Sequence, residues 1–168
     1  MEKITSLALI ILLALACNGA QKSVSIAPVN WSGRKMNLPA SDSLLHHSTY
    51  LSVYSEIYHI GEGKTFNLTV TVSMRNISST DTVYIERADY FDTHGALIRT
   101  YFDYPIYISP LETLEIVIDE SAGKGGTGGN FIFDWAIKDG SNEPLFDAVM
   151  ISTSGQQGLS FTSQGVKR

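Results

Sequence analysis

The stretch TFNLTVTVSMR, residues 65–75, alternates apolar and polar side chains without a break. Phe66, Leu68, Val70, Val72 and Met74 fall on one side; Asn67, Thr69, Thr71, Ser73 and Arg75 fall on the other. Successive strand side chains point to opposite faces, so this run predicts a half-buried antiparallel strand, one face on a core and one in water. The same period recurs at Phe131, Phe133, Trp135 and Ile137, and more briefly at Leu114, Ile116 and Ile118. Residues 50–58, 82–91, 96–107 and 145–153 complete a set of about seven strands. Turn signals separate them at 61–63, 76–81, 92–95, 109–110 and 139–142. Helical periodicity is absent from this region. The expected fold is all-β, an antiparallel β-sandwich of immunoglobulin-like architecture, lacking the cysteine pair of antibody domains.

If each connection reverses the chain, the loops sort to two ends. The end where the chain enters the domain would carry the 76–81, 109–110 and 139–142 loops. The far end would carry 61–63, 92–95, the glycine-rich 119–130 segment and the tail from Ser154 onward.

The N-terminus is of another kind. Lys3 precedes an apolar run of about 13 residues, long enough for a secretory leader and short of the roughly 20 needed to span a bilayer. It ends at Cys17, the only cysteine, after Ala14, Leu15 and Ala16 and before Asn18 and Gly19. This resembles the bacterial lipoprotein signal, in which the leader is cut before a cysteine whose thiol carries a lipid. Ala14 stands where that pattern prefers leucine. Two or three acyl chains, at about 0.8 kcal/mol per buried methylene, anchor a protein that one chain would hold only marginally. Residues 1–16 are then a signal peptide, 17–48 a lipidated tether and 49–168 the sandwich domain. Asn18 is not the aspartate that retains enterobacterial lipoproteins at the inner membrane, so the outer membrane is favoured.

Composition agrees with an exported β protein. Charged residues make up 17% of the chain and the net charge is −5, which offers no basic surface for a nucleic acid. A lone cysteine allows no intramolecular disulfide, so the core alone must hold the domain.

Two segments stand out as candidate binding elements. In DESAGKGGTGGN (119–130), Gly125, Gly126, Thr127, Gly128, Gly129 and Asn130 permit close approach of a ligand to the main chain. The segment fits neither the P-loop, since Gly125 follows Lys124, nor a calcium loop, since Glu120 and Ala122 occupy ligand positions. A flexible turn or lid is the simpler reading of these glycines, ahead of a binding loop. In the tail, Gln156 and Gln157 would lie beside that loop, and Leu159 and Phe161 alternate like a last strand. His59, Asp92, His94, Asp119 and Glu120 would share the far end as solvated turn residues. His46 and His47 are an exposed tandem pair. Glu56, Glu86 and Asp134 lie in strands without a readable catalytic spacing. No catalytic residue, metal site or cofactor is assigned. YFDYPIY (101–107) holds more aromatics than one buried face accepts, which suits a protein or carbohydrate partner.

YLSVYSEIY (50–58), LTVTVSMRN (68–76), DYFDTHGALIRTY (89–101), GGTGGNFIFDW (125–135) and DAVMISTSGQQGLSFTSQG (147–165) together resemble the bacterial domain-of-unknown-function 3124 family. Other members carry Gly-Ala at the place of Gly128-Gly129. The resemblance implies a bacterial, often exported protein and transfers no catalytic residue. The expected function is a non-enzymatic, lipid-anchored binding or protein-interaction module, held to the membrane at Cys17 and meeting an envelope protein or glycan. The alternatives are an envelope enzyme acting on a carbohydrate or peptide, and a structural subunit pairing through a sheet edge.

Overall fold

A computed structural model describes residues 27–40, 43–122, 124–153 and 158–168. The leader, Cys17, Gly123 and the Gln156-Gln157 pair lie outside the described residues. The strands are β1 (Leu44–Val53), β2 (Glu56–His59), β3 (Gly61–Asn67), β4 (Thr69–Arg75), β5 (Val83–Phe91) and β6 (Leu97–Phe102). They continue as β7 (Ile106–Ile108), β8 (Thr113–Ile118), β9 (Gly129–Lys138), β10 (Leu145–Ser152), β11 (Leu159–Gln164) and β12 (Val166–Lys167). One sheet runs β12-β1-β9-β5-β6, with β7 also on β5. The second runs β11-β10-β4-β8, and β2 pairs with β3 alone. Every pairing is antiparallel. The molecule is the expected antiparallel β-sandwich.

The alternating residues build the core. Leu68, Val70, Val72 and Met74 from one sheet meet Leu51, Val53, Phe131, Phe133 and Trp135 from the other. An aromatic ladder crosses between the sheets, Tyr90 on Phe131 at 4.8 Å, Phe131 on Phe133 at 5.4 Å and Phe133 on Phe146 at 4.7 Å.

Three departures from the sequence reading have local causes. The 65–75 run is not one strand. The Leu68 amide turns to Ser55 O at 2.8 Å, which takes residues 61–67 out of the sheet and into the β2–β3 hairpin. Phe66 therefore leaves the core and packs on the His59 ring, centroids 3.9 Å apart. Second, β1 starts at Leu44, inside the segment expected as tether, because β9 pairs with it from Lys138 onward. Third, the tail crosses between sheets. β11 pairs with β10 and β12 with β1, and Gly165 sits at the crossing. A Cβ there would lie 2.7 Å from Thr49 Cγ2 and 3.0 Å from Phe146 Cβ.

The loops sort to two ends as antiparallel connection requires. At the entry end, buried Asn76 donates through Nδ2 to Asp81 O at 2.7 Å and Ile108 O at 3.0 Å, and accepts from Ser78 N at 2.9 Å. One amide thereby ties the 76–81 loop to the end of β7. Beside it, Glu112 N closes a four-residue turn on Ser109 O, with Leu111 at φ +60°. That is the third position of a Pro110-led turn, where glycine or asparagine is at ease and leucine is strained. Leu111 is 70% exposed, so its side chain offsets little of the strain. Leu111→Gly is expected to raise stability by up to about 1 kcal/mol, read as a higher urea midpoint. An unchanged or lower midpoint would contradict the strain.

Candidate functional site

The far end is assembled by contacts that sequence distance hides. Gly125 O accepts from Thr93 N at 3.1 Å and from Thr93 Oγ1 at 3.0 Å, and Gly128 N donates back to Thr93 Oγ1 at 2.9 Å. Ser55 Oγ donates to Gly126 O at 3.3 Å. The 92–95 turn and the glycine-rich segment are thus one structure. Asp92 folds its own turn, with Oδ1 accepting the His94 and Ala96 amides at 2.8 Å each.

The glycines are required by the chain's own packing. Gly126 has φ +71°, a conformation that strains any residue with a Cβ. Gly125 lies against Tyr90, whose buried hydroxyl is left without a well-formed hydrogen bond, and the nearby Ser55 donates to Gly126 O. Burial pushes that phenol above its ordinary range, so it stays neutral. Of the candidate binding residues, Gly125 and Gly129 are buried, and Gly126, Thr127, Gly128 and Asn130 are partly exposed.

The β2–β3 hairpin adjoins this loop and belongs to neither large sheet. All seven residues of β3 are exposed. Tyr58 is 63% and Ile60 86% exposed, and Phe66 is also exposed. Ile60 also sits at φ +65°, an uncommon place for a β-branched side chain. The glycine-rich signal pointed to this end, whereas the hairpin carries its exposed apolar surface.

At the entry end, residues 29–36 dock on the domain. Trp31 packs on Phe102 at 5.1 Å, Met36 N donates to Pro105 O at 3.0 Å, and Arg34 Nη2 meets Glu112 Oε1 at 2.5 Å. Arg34 and Lys35 lie over the rings of Tyr107 and Tyr104. The aromatic 101–107 run is therefore largely covered from within the chain. Arg34, and next the Ser109 amide, hold the Glu112 carboxyl below its ordinary 4.5. A carboxyl with a depressed folded pKa stabilises above its unfolded pKa and loses that contribution as pH falls through the folded value. Lowering pH from about 6 to about 3 is expected to free Trp31, seen as a red-shifted emission that Glu112→Gln makes pH-independent. Emission insensitive to both changes would show that Arg34–Glu112 does not hold the segment.

On the outer face of the larger sheet, His46, Glu86 and Asp134 come together in one groove. His46 Nδ1 is 2.8 Å from Glu86 Oε2. His47 also borders the groove and packs on the Trp135 ring at 4.8 Å. Glu56 is elsewhere, accepting from Thr65 Oγ1 in the hairpin at 3.0 Å. Among the described residues no group of three or more His, Cys, Asp or Glu is placed to hold a metal ion.

The family model for "Protein of unknown function (DUF3124)" matches residues 46–167, which is most of the chain. The chain belongs to the DUF3124 family. The DUF3124 match takes in the far end, the groove and all strands but the first two residues of β1. Residues 29–36 and Cys17 lie outside it. No curated protein matches. Among solved structures this DUF3124 chain is similar to one titled "Crystal Structure of Thermotoga maritima 1070". The identity is 12%, over 71% of this chain and 92% of that one, with a TM-score of 0.44.

Proposed function

We propose that this DUF3124 protein is a non-enzymatic binding module of the bacterial envelope, lipid-anchored at Cys17, with the outer membrane favoured, and that it meets its partner through the far end. The observation that carries this reading is the β2–β3 hairpin. It projects from the end opposite the one where β1 begins, and it exposes Tyr58, Ile60 and Phe66. Exposed aromatic and aliphatic side chains clustered at one end mark interaction surfaces more often than solvated ones. Ile60 supports the reading a second way, because a strained backbone at an exposed apolar residue is a common mark of a functional tip. The loop gripped by Thr93 gives that tip a fixed base.

The sheet-pairing alternative has one observation in its favour. β8 is an edge strand bonded only to β4 among the described residues, and edges of this kind accept added strands. Glu115 stands on that edge strand, a charge that discourages pairing.

Metabolic labelling with palmitate tests the anchor. The mature protein is expected to take up label and lose it entirely in Cys17→Ser. Label retained in that variant, or absent from the parent, would overturn the lipid anchor.

A further inference from the structure

The groove on the larger sheet is separate from the far end and is built rather than incidental. It measures about 600 Å³, within the range of small-ligand sites. Its floor depends on a β-bulge. Ile85 pairs with Trp135 and Arg87 with Asp134, so Glu86 is an extra residue in β5. Bulges re-aim side chains, and here two neighbours in sequence, Glu86 and Arg87, both line the groove. Each is then held. Glu86 meets His46. Arg87 gives its Nε–H to Asp89 Oδ2 at 2.5 Å, and Asp89, mostly buried, accepts from Thr100 Oγ1 at 2.6 Å. That fixes the guanidinium and leaves its terminal nitrogens unspent.

The remaining charges lack a direct hydrogen-bonded partner. Asp103 and Asp134 line the same groove, and their fields reach Arg87. Neither makes a hydrogen bond or ion pair among the described residues, and the Arg168 side chain on the same wall is equally unpaired. Arg87 and Arg168 share the groove with three carboxylates, Glu86, Asp103 and Asp134, so a simple anion is repelled. A simple cation would satisfy the aspartates and leave Arg168 unanswered. A molecule with both poles a few ångströms apart answers both, through charge-assisted hydrogen bonds about twice as strong as neutral ones.

We propose that this groove binds a small zwitterion, an amino acid or the free end of a short peptide. Asp103 and Asp134 take the ammonium group, while Arg168 and the terminal nitrogens of Arg87 take the carboxylate. The site is independent of the far-end reading and survives its failure.

The test follows amide shifts of the full chain in detergent micelles as Ala-Ala is added. N-acetyl-Ala-Ala, Ala-Ala-amide and cadaverine are run beside it. Ala-Ala is expected to shift Ser48, Arg87 and Asp134 saturably with a Kd on the order of 1 mM, and the blocked dipeptides and cadaverine at least about tenfold more weakly. Asp134→Asn, with Asp103→Asn as the second variant, should weaken Ala-Ala about tenfold. Arg168→Gln should reduce the preference for Ala-Ala over its amide, Arg87 holding the remainder. Equal response to all four compounds, tighter binding of cadaverine, no saturable shift, or variants that bind like the parent would each overturn the proposal.

Discussion

Alanine at position 125 is expected to cost the domain about 1–3 kcal/mol, lowering Tm by several degrees. The added Cβ would lie 1.8 Å from Tyr90 Oη, 2.8 Å from Cζ and 2.9 Å from Ser55 Oγ. Something must move, and the neighbours cannot move freely. The Tyr90 ring is stacked on Phe131 with planes 15° apart, and Gly125 O is held twice by Thr93. The worst of these clashes is with the phenol oxygen, so Tyr90→Phe in the Gly125→Ala background should recover part of the loss. Tyr90→Phe alone should be neutral or stabilising, because its hydroxyl is buried without a well-formed hydrogen bond. Urea denaturation of the four proteins closes the cycle. Gly125→Ala within about 0.5 kcal/mol of the parent would mean that the glycines are not held by packing.

Trp135→Ala should be more damaging still, by about 3–5 kcal/mol. Trp135 is 1% exposed in the central strand β9. Its Nε1–H donates to the buried Thr49 Oγ1 at 2.9 Å, across to β1. His47 packs on the ring, and Lys167 lies over it at 5.6 Å. Truncation therefore opens a cavity, strips a buried hydroxyl of its donor and loosens the seam between β1 and β12. Trp135→Phe keeps most of the volume and should cost about 1–3 kcal/mol, chiefly the lost donor. Equal losses for the two variants would show that the hydrogen bond, not the volume, dominates.

The body of the sandwich was legible because its signal is local. Leu68 to Met74 and Phe131 to Ile137 alternate, and antiparallel connection alone then sorts the loops to their ends. Reading failed where distant residues decide. Nothing in 65–75 says that Leu68 will bond Ser55 and release Phe66 to His59. Leu44 to Ser48 read as tether because His46 and His47 interrupt the apolar pattern, and only the ladder with β9 makes them strand. The glycine segment was recognisable by composition, but the need for glycine comes from Tyr90 and Thr93, some thirty residues earlier. Glu86 and Asp134 were noticed as strand carboxylates. The bulge that sets them in one groove with His46 leaves no mark in the sequence.

The far end as the partner-binding face is tested most directly by crosslinking in intact cells. Photoreactive residues are placed at Tyr58 and Thr127, with Asn142 at the entry end as control, and the captured material is identified by mass spectrometry. A single discrete partner joined from Tyr58 and Thr127, and absent from Asn142, is the expected result. Equal, diffuse capture from all three positions, or a partner joined from Asn142 alone, would contradict it.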